Sequence, residues 1–246
     1  MTIESDEQAI RRALEGDEEA IKRALGEVPA EESLHLSPLT EGRDVYHIFF
    51  IYMRFNSDGA FIAEQIFHEG VVGKNIIPDT NTDNPDSLGW YAKDMATYSR
   101  EEKPNRNGRY AHWGDGLEDT KFPPRYSYVV LYMDDIYWPY LEDVHGYPVV
   151  PFHEEKEGKN YYKHNKAFTQ ATKFKIPMTN SNNVTTYREA VVMINRMRNK
   201  NDVDLPSAHK ETYCFDLRMR VRYAGSTKGL TIIIDPTGEN LGPPIP

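Results

Sequence analysis

Between Tyr213 and Tyr223 apolar and polar positions alternate without a break. Tyr213, Phe215, Leu217, Met219, Val221 and Tyr223 interleave with Cys214, Asp216, Arg218, Arg220 and Arg222. A period of two sends the first set to one side of a strand and the arginines to the other. AGSTKG then turns the chain, LTIII returns, and DPTGEN ends the predicted hairpin. DVYHIFFIYMRF, residues 44–55, is a solid apolar run and reads as a buried strand. NSDG, residues 56–59, follows as a turn, so AFIAEQIF, residues 60–67, is expected to pair back on it. YSYVVLYM, residues 126–133, is another strand, and residues 147–152 a further short one. The polar stretches 74–87 and 101–125 are expected as loops.

Helical periodicity occurs in three places. Residues 5–25 contain AIRRAL at 9–14 and AIKRAL at 20–25, eleven residues apart, about three helical turns. Ile10, Leu14, Ile21 and Leu25 then share one face, which either docks on the chain's own domain or meets a partner or a second copy. Ser87 stands where an N-cap would, before Leu88, Tyr91, Met95 and Tyr98 at helical spacing. Thr186-x-x-Glu189 has the form of a capping box and predicts a helix over residues 187–199. Val191, Val192 and Ile194 in that window suit a strand equally.

These elements predict a mainly β fold, sandwich-like and antiparallel, with a few peripheral helices; α+β is the alternative. The expected organisation is an acidic helical arm and linker over residues 1–40, one β-rich domain over 41–240, and a tail over 241–246. Composition agrees, since 16 Tyr and 10 Phe in 246 residues favour strands over a helical bundle. A single cysteine, Cys214, excludes an internal disulfide framework and a cysteine-based zinc cluster.

The N-terminal sequence MTIESDEQAI is acidic and lacks the apolar centre of a secretory signal. The longest strongly apolar run, Ile48 to Met53, is far short of a membrane span. A cytoplasmic protein with no membrane partner is expected, and the sequon at Asn183 is read as idle. Net charge is −9, and residues 1–44, with 12 acids and 5 bases, supply −7 of it. Residues 182–228, with 5 acids and 9 bases, carry +4. An acidic balance of this kind speaks against a wholesale nucleic-acid binder.

Chemistry-bearing residues cluster around residues 128–148, YVVLYMDDIYWPYLEDVHGYP. Here Tyr132-Met133-Asp134-Asp135 resembles the Tyr-x-Asp-Asp of reverse transcriptases, whose palm carries it on a hairpin between two apolar strands. The resemblance covers residues 128–137. It implies that Asp134 and Asp135 are metal ligands for two-metal phosphoryl chemistry, with Asp58 as the upstream carboxylate. The chain departs from the pattern elsewhere. No Gln-Gly-x-x-x-Ser-Pro segment lies between Asp58 and Asp134, and Pro139 interrupts what should be the second strand. Read without the resemblance, Asp134 and Asp135 close a strand as a turn, with Tyr137, Trp138 and Tyr140 packing back onto the sheet.

Further metal donors are scattered. His145, His153, Glu154, Glu155 and His164 lack the i, i+4 spacing of a helical metal pair. His112, Asp115 and Asp119 surround Gly114 and Gly116, which are read as turn glycines. DPTGEN superficially resembles a calcium loop but has its glycine at the wrong position.

Arg218, Arg220 and Arg222 form a candidate anion-binding ladder, unless carboxylates from a neighbouring strand or the acidic arm neutralise it. Trp113, Tyr137, Trp138 and Tyr140 are candidate ligand-stacking rings. The function expected is a non-catalytic binding or assembly module without a cofactor, with an aromatic loop surface and a protein partner or self-association through residues 5–25. The alternatives are a metal-dependent enzyme acting on phosphoesters through Asp134 and Asp135, and a structural protein oligomerising through its N-terminal helix.

Overall fold

A strand that is apolar on both faces has to be covered on both faces, and this requirement organises the molecule. The computed structural model of the chain describes residues 45–56, 58–68, 74–101, 110–115, 119–122, 127–142, 147–154, 162–164, 168–169, 171–195, 212–214, 216–234 and 237–240. The arm over residues 5–25, the linker, His145, Glu155 and the tail lie outside the described residues.

The principal sheet has six strands: β1 (His47–Phe55), β2 (Phe61–His68), β3 (Tyr110–Asp115), β5 (Ser127–Met133), β9 (Thr172–Thr179) and β10 (Thr185–Asn195). Their order is β3-β2-β1-β5-β10-β9. β1 and β5 are parallel and the other neighbours antiparallel. Ile48 to Met53 of β1 and all of β5 are buried. The single helix among the described residues, α1 (Leu88–Glu101), covers one face. There Leu88, Ala92, Met95 and Ala96 pack with Ile48, Phe50, Tyr52, Tyr128, Val130, Tyr132, Val192 and Ile194.

The opposite face meets a second sheet. It contains β6 (Tyr140–Leu141), β7 (Val149–Glu154), β8 (Tyr162–His164), β12 (Asp216–Arg222) and β13 (Gly229–Ile234). β13, β12, β7 and β8 follow in that order, and β6 pairs with β12 beyond the end of β7. Leu217, Met219, Val221, Ile232 and Ile234 interlock with Phe49, Ile51, Met53, Val129, Leu131, Met133, Val191 and Met193. A small third sheet joins β11 (Thr212–Cys214), β14 (Thr237–Asn240) and β4 (Asp119–Phe122).

The mainly β class is as the sequence predicts, although the centre is mixed rather than purely antiparallel. Three local expectations are corrected. Residues 185–195 are a strand, not the start of a helix: they are sandwiched between α1 and the second sheet, so apolar residues are needed on both faces and helical spacing is mimicked. Both supposed capping residues are engaged elsewhere. Thr186 Oγ1 accepts from Arg188 Nη1 at 2.6 Å, and the Glu189 carboxylate accepts from the Tyr140 amide at 2.7 Å. The expected loop over 101–125 contains β3 and β4. The long C-terminal alternation is divided into β11 and β12, which join different sheets, and DPTGEN supplies β14 instead of a terminating turn.

The turns follow the sequence closely. Asn56 Oδ1 accepts from the amides of Asp58 and Ala60, and Gly59 takes φ 77°, a left-handed value that glycine adopts freely. Ser87 Oγ accepts from the Trp90 amide at 3.1 Å and so caps α1. The loop before it folds back tightly over the helix start. A Cβ on Gly89 would stand 2.1 Å from the Thr80 carbonyl oxygen. Gly89→Ala is therefore expected to lower stability by about 1–3 kcal/mol, the range for overpacking, seen as an earlier urea midpoint. An unchanged midpoint would contradict the close approach.

Candidate functional site

The parallel pair β1–β5 aligns Tyr52 with Tyr132, and both rings point to the α1 side, stacked at 5.8 Å. The chain continues one step past β5, where the Asp134 amide donates to the Met53 carbonyl at 2.8 Å. This places the Asp134 carboxylate between the two phenols. Tyr52 Oη donates to Oδ2, and Tyr132 Oη donates to Oδ1 at 3.0 Å. Across the sheet, β10 pairs Ala190 with Tyr132, which brings Arg188 level with Asp134. Arg188 Nε lies 3.5 Å from Asp134 Oδ1, and Arg100 Nε, from the last turn of α1, lies 3.8 Å from Oδ2.

Asp134 and Arg188 are both deeply buried, with side chains 8% and 9% exposed. Arg188 Nε has no acceptor in hydrogen-bonding geometry, so its interaction with Asp134 is chiefly coulombic. Burial is the main influence on both phenols and drives them well above their ordinary value; the neighbouring carboxylate adds to it. Both hydroxyls thus remain protonated donors at ordinary pH. The cluster joins β1, β5, β10 and α1 at one carboxylate.

Asp135 begins the exit from the sheet. Its Oδ1 accepts from the Tyr137 amide at 2.8 Å, closing a turn. Burial raises its carboxyl above the ordinary 3.8; the Tyr137 amide and Arg188 oppose that shift and Asp134 adds to it. The chain does not return beside β5 as the palm hairpin would, since the neighbours of β5 are β1 and β10. It runs to the second sheet instead. Pro139, which has no amide to donate, accepts there from the Arg222 amide at 3.1 Å, and the Ala224 amide donates to Tyr137.

This crossing segment gathers aromatic rings from separate parts of the chain. Trp138 stacks on Phe55 at 4.6 Å and meets Tyr223 edge-on at 5.3 Å. Phe61 meets the edge of Phe55 at 5.5 Å, and Tyr137 lies 6.0 Å from Tyr223. All five rings are half-buried.

The other sequence candidates are distributed over the molecule. Asp58 is exposed in the β1–β2 turn. Among the described residues, no three His, Cys, Asp or Glu side chains are grouped as metal ligands. Tyr140 is corrected from a ligand-stacking ring to a core residue: it is 3% exposed and donates its hydroxyl to the Leu131 carbonyl. Trp113 is the extra residue in β3 where the β2–β3 register shifts, because Gln65 pairs with Gly114 and Ile66 with His112. His153 in β7 pairs with Lys163 in β8, and His164 with Phe152.

Arg218, Arg220 and Arg222 are on the outer face of β12, with Arg218 and Arg222 exposed. Among the described residues, no acid is a register partner of Arg220 or Arg222. The register partners of the three arginines are, in turn, Ile233 and Val150, Thr231 and Leu141, and Gly229. Arg188 and Arg100 were not singled out in the sequence. Arg188 fell inside the misassigned helix, and Arg100 reads as an ordinary cation in the last turn of a helix.

No protein-family model matches the chain, and neither a curated protein nor a solved structure matches it. No helix among the described residues is long and apolar enough to cross a membrane.

Removing one partner from a buried ion pair strands the other charge. Asp134→Ala is expected to cost about 3–5 kcal/mol, and Tyr132→Phe about 1.5–3 kcal/mol, the range for a hydrogen bond to a charged group. Urea unfolding checks the order; equal small effects would mean that the carboxylate is not the hub.

Asp135 gives a separate test. Its folded pKa is above its unfolded one, so its contribution to stability is full below pH 3.8 and is lost as pH rises through the raised value. Asp135→Asn keeps an acceptor for the Tyr137 amide. It is expected to match the parent in acid and to melt at a higher temperature at neutral pH. A difference in melting temperature that does not change with pH would refute this assignment.

Proposed function

We propose that this chain is a non-catalytic binding module whose ligand is gripped by the aromatic cluster around Tyr137 and Trp138. The observation that carries this reading is the convergence of Phe55, Phe61, Tyr137, Trp138 and Tyr223, all half-buried, on one end of the two sheets. Rings left partly exposed at a sheet end offer flat apolar area with polar edges, which suits a sugar ring, a base or an extended peptide.

The neighbouring acids support binding rather than turnover. Both Asp134 oxygens accept from tyrosine hydroxyls and face arginines, and one Asp135 oxygen is occupied by a backbone amide. Acids tied down in this way act as struts that hold the aromatic loop in place.

Ligand-observed NMR with a panel of oligosaccharides, nucleosides and proline-containing peptides tests the reading. At least one class is expected to receive saturation from the parent protein. Its affinity should fall at least about tenfold, or 1.4 kcal/mol, in Tyr137→Ala and in Trp138→Ala, with folding checked by thermal melting. Ligands that bind both folded variants as well as the parent would rule out the aromatic cluster as the contact surface.

A further inference from the structure

A sheet edge is a row of backbone donors and acceptors, and proteins usually blunt it. Leaving aside the two-residue β6, three of the four edges of the two larger sheets are blunted here. β9 carries Lys173, Lys175 and Pro177. β3 is kinked by its register shift against β2. β8 has only three residues. The fourth edge, β13, is six residues long, reads GLTIII, and has neither a charge nor a proline. Among the described residues no strand pairs with its outer side. Leu230 and Ile233 on it are 42% and 59% exposed.

The surface beside this edge is cationic. Arg220 and Arg222 stand on β12, one strand in, and no carboxylate among the described residues pairs with either. Gly229 offers no side chain to obstruct them. A Cβ there would lie 3.3 Å from Arg220 Nη2, so the Arg220 guanidinium reaches as far as β13. A strand added outside β13 would run about 9–10 Å from β12, twice the usual strand spacing. Acidic side chains on its outward face would then meet these guanidiniums, while an apolar residue on the same face could pack beside Ile233.

We infer that β13 is a docking edge for an extended acidic peptide segment of a partner protein, which adds to the second sheet as a further strand and pairs its carboxylates with Arg220 and Arg222. Backbone hydrogen bonds supply affinity in this mode, and the arginines supply selectivity. The site is distinct from the aromatic cluster and does not depend on the function proposed for it. A second copy of this chain fits less well, because it would bring another uncharged edge and another row of arginines against the first.

The test uses the full chain and a fluorescein-labelled peptide of alternating Glu and Val, read by fluorescence anisotropy. Four comparisons are made. The Glu–Val peptide is expected to bind at least tenfold more tightly than a Lys–Val peptide. Methylation of alternate backbone nitrogens, which leaves the charges intact, should weaken binding at least tenfold. The Arg220→Glu, Arg222→Glu double variant should lose the preference for acid. Ile233→Lys adds a cation yet should weaken binding, since it blocks the edge.

Thermal melting checks that each variant is folded, and Arg220→Gln with Arg222→Gln serves where the Glu pair does not fold. Equal binding of the N-methylated peptide, or tighter binding to Ile233→Lys, would reduce the contact to simple charge attraction and overturn the inference. So would absence of Glu–Val binding, or capture of a single-stranded oligonucleotide in preference to the peptide.

Discussion

The burial of β1, β5 and β10 on both faces is the constraint from which the remaining architecture follows. Each fully buried aliphatic or aromatic side chain contributes on the order of 1.5–3 kcal/mol, and these three strands carry them in unbroken rows. Such strands cannot lie at a surface. They require α1 on one side and the β12–β13 layer on the other. A parallel neighbour for β1 is natural in that setting, since parallel pairs are usually found where both faces are covered. The parallel pairing also fixes the chain path: the polypeptide must cross over between β1 and β5, and α1 lies within that crossover.

Asp134 lies one step past the end of β5, where the sheet can admit a polar group. Burying an ion pair does not by itself stabilise a fold, because desolvation offsets the attraction. The pair acts here through register. Tyr52 is level with Tyr132, and Arg188 is two residues beyond the partner of Tyr132, so a single carboxylate satisfies both phenols and faces both arginines. A slip of β10 by one residue would turn Arg188 to the other face and leave Asp134 without its buried cation. The same slip would exchange Val191 and Met193 with Ala190, Val192 and Ile194 between the two core layers. Apolar packing and charge placement therefore select the same alignment.

How much of this was legible in the sequence depended on whether a segment faces one environment or two. The β12–β13 hairpin has one solvated face, so its alternation was plain and its arginines could be placed outside. The Ser87 cap and the Asn56–Gly59 turn were legible because their chemistry is local. β10 mimics a helix in sequence because a strand buried on both faces loses its period of two, leaving only its β-branched residues as a guide. The candidate site was half legible. Asp134 and Asp135 stand out as a pair, yet the side-chain partners of Asp134 come from residues 52, 100, 132 and 188, and only Tyr132 is close in sequence. The rings fared similarly: Tyr137 and Trp138 were visible in one loop, whereas Phe55, Phe61 and Tyr223 join them only through the fold.

The arginine ladder shows why an element can be legible and its role still open. Alternation alone puts three cations on one face of β12, about 6–7 Å apart. Within a sheet such a row is normally neutralised by acids on the flanking strands. For Arg220 and Arg222 the register sets Thr231, Leu141 and Gly229 opposite instead. Salt weakens repulsion between exposed charges at this spacing, so the fold tolerates the row. Tolerance does not explain why the adjoining edge lacks the lysines and proline that β9 carries. An uncharged edge beside a cationic face has a consistent physical use when both are completed together, by a strand that brings its own hydrogen-bonding backbone and its own carboxylates.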